Sequence, residues 1–262
     1  MAIKSLDGIA WPTIGYSIEK ETKKKTERKM SNPKQIGRTV QEAAYQSKGV
    51  SCRADGLRDV TPQEKFKFLD VCRSVCPRFR ITSAMKPLLN DLVRWCLMLD
   101  GRHDPDKGLW LWGDIGTGKS TMLEIIRDYC RIMRPPVYYR KTLQPRAMHK
   151  DAWAYGFNIT NASYVAGMFA KNGYPGIEDY ITTCRQAFDE VGRECIPIGY
   201  YGNMENVFQY IFQRRYDLRH GDFTHVTSNL SPDQIGDVYG EHIYDRCHEM
   251  FNFVEMSGES WR

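Results

Sequence analysis

Leu109-Trp-Leu-Trp-Gly-Asp-Ile-Gly-Thr-Gly-Lys-Ser120 is a short apolar run that breaks into a glycine-rich turn and ends in a lysine and a hydroxyl. A wholly apolar stretch such as Leu109–Trp112 is what a central strand needs when both its faces are buried. Residues Gly113 to Ser120 fit the spacing G-x-x-x-x-G-K-[ST]. The glycines let the backbone curl so that successive N–H groups converge on a phosphate. The helix that follows presents its positive N-terminus to the same anion. Lys119 then reaches the β- and γ-phosphates, and the Ser120 hydroxyl can ligate Mg²⁺. A bare glycine turn would match the same letters. Here, however, the turn follows an apolar run and opens a patterned helix from Lys119 to Met133, stopped at Pro135-Pro136. Gly113, Asp114, Ile115, Gly116, Thr117, Gly118, Lys119, Ser120 and Thr121 are therefore the candidate nucleotide-binding residues, with ATP and Mg²⁺ as the ligands implied.

Upstream of this turn, order begins at Thr61-Pro-Gln-Glu64, which has the makings of a capping box with proline in the first turn. Phe66, Leu69 and Cys72 or Arg73 follow at helical spacing up to Pro77. A second helix is expected from about Ser83 to Leu99, with Leu88, Leu92, Trp95 and Leu99 as its buried stripe and Gly101 closing it.

Downstream, strand, turn and helix alternate, the pattern of a parallel α/β sheet. Val137–Arg140 reads as the next strand, and Leu143–Ala162 as irregular. Helices are expected near Tyr164–Lys171 and Ile177–Cys184, leading to Ala187-Phe-Asp-Glu190. Met204–Leu218 reads as a helix, Phe223–Thr227 as a strand, Pro232–Tyr239 and His242–Met250 as helices with Ser231 as an N-cap, and Phe251–Glu255 as a final strand.

Two further motifs carry chemistry. A strand-end Asp189 can hold Mg²⁺, and the adjacent Glu190 can polarise an attacking water. The alternative is a surface Asp-Glu pair, since only Ala187 and Phe188 form the apolar lead-in. Thr227-Ser-Asn229 ends the strand expected next to this pair. Asn229 there can orient the water or touch the γ-phosphate, unless the triplet only caps the next helix.

Composition sets the class. The chain has 262 residues, enough for one mid-sized domain with an appendage. It lacks the roughly 18 consecutive apolar residues of a membrane span, and Met1–Gly15 lacks the layout of a secretory signal. A cytoplasmic location is expected. The eight cysteines include no C-x-x-C pair. Buried, reduced thiols are therefore expected, and Cys52, Cys72, Cys76 and Cys96 are the set a zinc ion would use on the alternative reading. Residues 1–60 carry 12 Lys and Arg against 7 Asp and Glu, so the formal excess of +5 lies there. Much of it is in Glu19–Lys29, which reads as a solvated arm or as a grip on phosphate backbone. Arg140, Lys141, Arg146 and Lys150 are a second basic group. The aromatic pairs Tyr138-Tyr139, Trp153 with Tyr155, and Tyr200-Tyr201 suit either a core or base stacking.

Three motifs in this order on α/β units resemble an AAA+ ATPase. Tyr239-Gly-Glu-His-Ile-Tyr-Asp-Arg246, followed by Gly258-Glu-Ser-Trp-Arg262, is similar to the closing pattern of DnaC-type helicase loaders and IstB-type transposition ATPases. The Thr-Ser-Asn strand end is similar too, and the resemblance covers about residues 105 to 262. It implies a three-layer α/β/α domain with a parallel five-stranded sheet over 105–262, the ATPase core. The residue pattern itself sets what precedes that core, a partly disordered, helical N-terminal region made of a basic arm over 1–58 and a helical segment over 59–104. Arg246 matches the arginine that reaches a neighbouring subunit's γ-phosphate, and Arg262 the motif's terminal arginine. The implied activity is ATP hydrolysis in a homo-oligomer assembled on single-stranded DNA. The implied partner is a replicative helicase or, on the IstB reading, a transposase. An ordinary ion pair of Arg246 with Asp245 or Glu249 is the alternative for that residue. For the chain, the alternatives are a self-contained P-loop kinase and a non-hydrolysing adaptor.

Overall fold

A computed structural model describes residues 58–135, 156–218 and 224–258. The calls on Lys23–Lys29, Cys52, Val137–Arg140, Lys141, Arg146, Lys150, Trp153, Tyr155 and Arg262 lie outside those residues.

Two helices precede the first strand. Helix α1 (Pro62–Val75) starts as its sequence dictates. Thr61 Oγ1 accepts from the Glu64 N–H at 3.3 Å, and the Glu64 carboxylate accepts from the Thr61 N–H at 2.8 Å. Its buried face is Phe68, Leu69, Val71 and Cys72, whereas Phe66 is exposed. Of the residues expected at helical spacing, Leu69 and Cys72 are buried and Phe66 is not. Helix α2 (Met85–Cys96) ends before Leu99, because Met98 turns left-handed at φ 59°. Gly101 does not close it. Leu89, Leu92, Val93, Trp95 and Cys96 form its buried side, with Leu88 only partly covered.

Strand β1 (Gly108–Trp112) and helix α3 (Lys119–Met133) flank the glycine turn. The chain continues through β2 (Asn158–Asn161), α4 (Ala162–Asn172), a short 3₁₀ turn, α5 (Glu178–Thr182) and β3 (Gln186–Val191). An antiparallel hairpin follows, β4 (Ile198–Tyr200) and β5 (Asn203–Glu205). Then come α6 (Val207–Asp217), β6 (Thr224–Ser228), α7 (Gln234–Tyr239), α8 (Glu241–Met250) and β7 (Phe251–Glu255). The five strands are parallel, in the order β2-β3-β6-β1-β7.

Successive side chains of a strand face opposite ways, and that alternation builds two cores. Leu109, Leu111 and Ala187 pack with α1, α2 and α3 on one side. Trp110, Phe188 and Val226 pack with α4 and α6 to α8 on the other. The result is the expected three-layer α/β/α sandwich. Trp110 is fully buried, its ring meeting Phe251 edge-on and Phe212 at a tilt.

Three sequence expectations need correction. The edge strand of the described sheet next to β3 is Asn158-Ile-Thr-Asn161, within the stretch read as irregular. It lies at the edge with mostly exposed or half-buried side chains, so it carries none of the apolar signal of a central strand. Met204 belongs to the β4–β5 hairpin, and α6 begins only at Val207, capped by the Asn206 side chain. Ser231 caps nothing with its hydroxyl: α7 begins after Asp233 with no side-chain cap.

Candidate nucleotide site

The glycine turn joins the C-terminal end of β1 to the N-terminus of α3. Its backbone is left-handed at Gly116 (φ 90°) and Gly118 (φ 83°), where any other residue would be strained. Gly113 is held by a close approach. A Cβ there would stand 2.4 Å from the Met256 carbonyl oxygen, because β7 runs on beside β1 and the Met256 N–H donates to the Trp112 carbonyl at 2.7 Å. Thr117 is buried and its hydroxyl donates to the Asp114 carbonyl at 2.9 Å, which ties the loop to itself.

Lys119 is buried among these groups, its ammonium donating to the carbonyls of Gly113 at 2.8 Å and Asp114 at 2.7 Å. Burial lowers its pKa from the usual lysine value, and Asp114, Asp189 and Glu190 oppose that by favouring the charged form. The lysine thus stands at the base of the loop, charged and already partnered by oxygens that a phosphate can replace.

Opposite the loop stands the end of β3. Ser120 Oγ donates to Asp189 Oδ1 at 2.8 Å, so the first hydroxyl of α3 and the strand-end carboxylate are adjacent. Thr227 on β6 donates to the same Asp189 oxygen and accepts the Glu190 N–H at 2.9 Å. The β3–β6 register shifts between Phe188 and Val191, and Glu190 is left-handed at φ 61°. A non-glycine residue in that region is uncommon and persists where its surroundings over-determine it. The Thr227 bond supplies part of that determination. The short apolar lead-in to Asp189 thus corresponds to a strand that departs from regular pairing where its carboxylates begin.

Glu190 is held on both oxygens. Arg193 makes an ion pair with Oε1, and Asn161 Nδ2 donates to Oε2 at 3.1 Å. Asn229 stands exposed at the rim. Ile115, Lys119, Thr121, Glu190, Arg193, Thr227 and Asn229 all line one open cleft of ≈ 140 Å³, which Cys76 at the end of α1 also lines. That is well under the roughly 300–1,000 Å³ of a small-molecule pocket.

The fold therefore brings the glycine turn, Lys119, Ser120, Asp189, Glu190 and Asn229 together. Arg246 does not line this cleft. It sits on α8, with its guanidinium carbon 5.0 Å from the centre of the Tyr216 ring. Among the described residues one of its η nitrogens is buried without a hydrogen-bond partner. Among the described residues Arg246 makes no ion pair with Asp245 or Glu249; Glu249 instead accepts from the Tyr216 hydroxyl at 2.9 Å. Sequence reasoning missed Asn161 and Arg193 and left Thr227 without its role. Asn161 ends a strand with no apolar signal, and the contact of Arg193 depends on the turn at Gly192.

As for metals, no cluster of three or more His, Cys, Asp or Glu suited to an ion occurs among the described residues. Cys72 and Cys96 are buried free thiols. Among the described residues no helix is long and apolar enough to cross a membrane.

No family model and no curated protein matches the chain. Among solved structures it is similar to the DnaC helicase loader at TM-score 0.48 and 14% identity, over 70% of this chain and 96% of that one. It is similar to DnaI at TM-score 0.46 and 16% identity, over 74% and 93%. AMPPCP-bound DnaA from Aquifex aeolicus gives TM-score 0.42 and 15% identity, over 68% of this chain and 48% of that one.

Proposed function

We propose that this chain is an AAA+ type ATPase that assembles on single-stranded DNA and acts as a loader of a replicative helicase. The observation that carries the ATPase reading is the convergence of Ser120, Asp189 and Thr227 beside a loop of left-handed glycines, with Glu190 on the same wall. The residues fit the implied ligands. N–H groups at the start of α3, a partnered lysine and an adjacent hydroxyl–carboxylate pair are what a phosphate chain and a divalent cation require. Mg²⁺ held by Ser120 and Asp189 would offset charge developing on the phosphates.

The rest is the work of the chain's own groups. The loop N–H groups and Lys119 orient the phosphates. Glu190 accepts a proton from water, and Asn229 at the rim orients that water. The cleft has room for a phosphate chain, and Ile115 and Cys76 belong to the same lining. Arg246 stands outside the cleft, which supports its reading as a residue offered to a neighbouring subunit's nucleotide. An arginine supplied in trans meets charge that develops only in the transition state, so it makes hydrolysis depend on assembly. The loader assignment rests on the similarity of the Tyr239–Arg246 and Gly258–Arg262 pattern to DnaC-type proteins. The division into arm, helical segment and core, and the DNA contacts of the basic N-terminal residues, belong to the same proposal.

The test is ATP hydrolysis by wild type, Glu190→Gln and Arg246→Ala over a range of protein concentrations, with and without single-stranded DNA. Specific activity should rise with concentration and DNA. Both variants should lose it, Arg246→Ala by roughly 10³-fold. A rate independent of concentration, DNA and Arg246 would mean a self-contained P-loop enzyme.

A further inference from the structure

The turn after β3 is held from every side except at one residue. The Gly192 N–H donates to Glu194 Oε2 at 2.7 Å, and the buried Tyr239 hydroxyl donates to the other oxygen at 2.6 Å. Ser228 Oγ donates to the Val191 carbonyl at 2.6 Å. Leu230 lies over Gly192 so closely that a Cβ there would stand 2.7 Å away, and Gly192 itself is left-handed at φ 91°. Arg193 follows, and its N–H closes the turn on the Glu190 carbonyl at 3.2 Å. Its backbone is thus fixed while its side chain is 52% exposed at the cleft wall. The partner, the Glu190 side chain, is 38% exposed.

From this geometry we propose that Arg193 is a nucleotide-reading residue that leaves Glu190 for the terminal phosphate when a triphosphate enters the cleft. The inference rests on the ATPase reading above. An ion pair this exposed is weak and easily exchanged. A terminal phosphate brings more negative charge than one carboxylate, and its oxygens match the fork of a guanidinium. Arg193 and Lys119 line the same cleft, so the guanidinium shares the space into which the loop would bring a phosphate. In this structure Arg193 and Asn161 occupy both Glu190 oxygens. When Arg193 turns to phosphate, Oε1 becomes free to accept a proton from water. Arg193 is then a positioning residue for Glu190, and a diphosphate, which lacks the group it turns to, leaves the pair closed.

Calorimetric binding of AMPPCP and of ADP, each with Mg²⁺, tests this in wild type, Arg193→Ala, Arg193→Lys, Glu190→Gln and the double variant of Glu190→Gln with Arg193→Ala. Arg193→Ala should weaken AMPPCP roughly tenfold while ADP changes less than twofold, and Arg193→Lys should recover part of the loss. Glu190→Gln should tighten AMPPCP by releasing Arg193, and that gain should vanish when Arg193→Ala is also present. Equal weakening of both nucleotides, or of neither, would overturn the inference. A wild type that binds neither nucleotide would overturn the ATPase reading as well. A wild type that binds both, unaffected by Arg193→Ala, would remove this inference alone.

Discussion

Replacing Thr227 by valine keeps the shape of a fully buried side chain and removes only its hydroxyl. That hydroxyl donates to Asp189 and accepts the Glu190 N–H at 2.9 Å. A hydrogen bond to a charged group contributes about 1.5–3 kcal/mol, and a stranded N–H costs about 1–3 kcal/mol. Asp189 keeps its bond from Ser120 and is only half-buried, so water restores part of the loss. The net cost is then about 2–3 kcal/mol, a fall in Tm of about 4–12 °C for a protein of this size. The loss also releases Glu190 from the left-handed conformation that aims its side chain. Turnover of ATP should therefore fall further than binding does, by about ten- to a hundredfold in kcat. Thr227→Ser keeps the hydroxyl and serves as the control, with near wild-type melting and kcat. If the valine and serine variants melt and turn over ATP alike, Thr227 does not organise the two carboxylates and the reasoning fails.

Acid should weaken the fold through His225. This imidazole is buried between the Trp95 and Phe157 rings, and its Nδ1 accepts the Leu109 N–H at 3.2 Å. Burial, with Arg185 and Arg215 adding positive charge nearby, lowers its pKa to about 3 from 6.5. The unfolded chain therefore binds the proton first. Stability is complete above about pH 6.5 and drains as pH falls toward 3, by about 2 kcal/mol at pH 5. Melting curves from pH 7.5 to 4.5 should show this slope, with His225→Leu melting lower at neutral pH but flatter in acid; equal slopes would dismiss the assignment. At the start of the loop, Gly113→Ala places a methyl group against the Met256 carbonyl at a φ of 140°. It should cost about 3 kcal/mol and weaken nucleotide binding, and a variant that melts and binds AMPPCP like wild type would show that β7 yields there.

What the sequence determined by itself is local or densely marked. The loop at Gly113–Ser120 is legible because each residue type answers a single demand: glycine for a left-handed turn, and lysine and hydroxyl at the spacing of a phosphate-binding motif. The cap at Thr61–Glu64 and the apolar strand Leu109–Trp112 are legible for similar reasons, since capping and double-sided burial act over a few adjacent residues. The adjacency of Asp189 to Ser120 was anticipated from order along the chain, although only folding places the two side chains 2.8 Å apart.

The tertiary structure alone decided the rest. The strand Asn158–Asn161 carries no pattern, because an edge strand needs pairing but little burial. The β4–β5 hairpin overrode a helical reading of Met204, and α2 stopped at a left-handed Met98 that nothing in its composition announces. The contacts of Thr227 and Asn161 with Asp189 and Glu190 are set by the register of β6 and β2 against β3. The pairing of Arg193 with Glu190 is set by a turn that Tyr239, Ser228 and Leu230 hold from other elements. Such contacts join residues far apart in the chain, and no periodicity or spacing encodes them. They exist only once the sheet order is fixed, and it is burial of both faces of that sheet that fixes it.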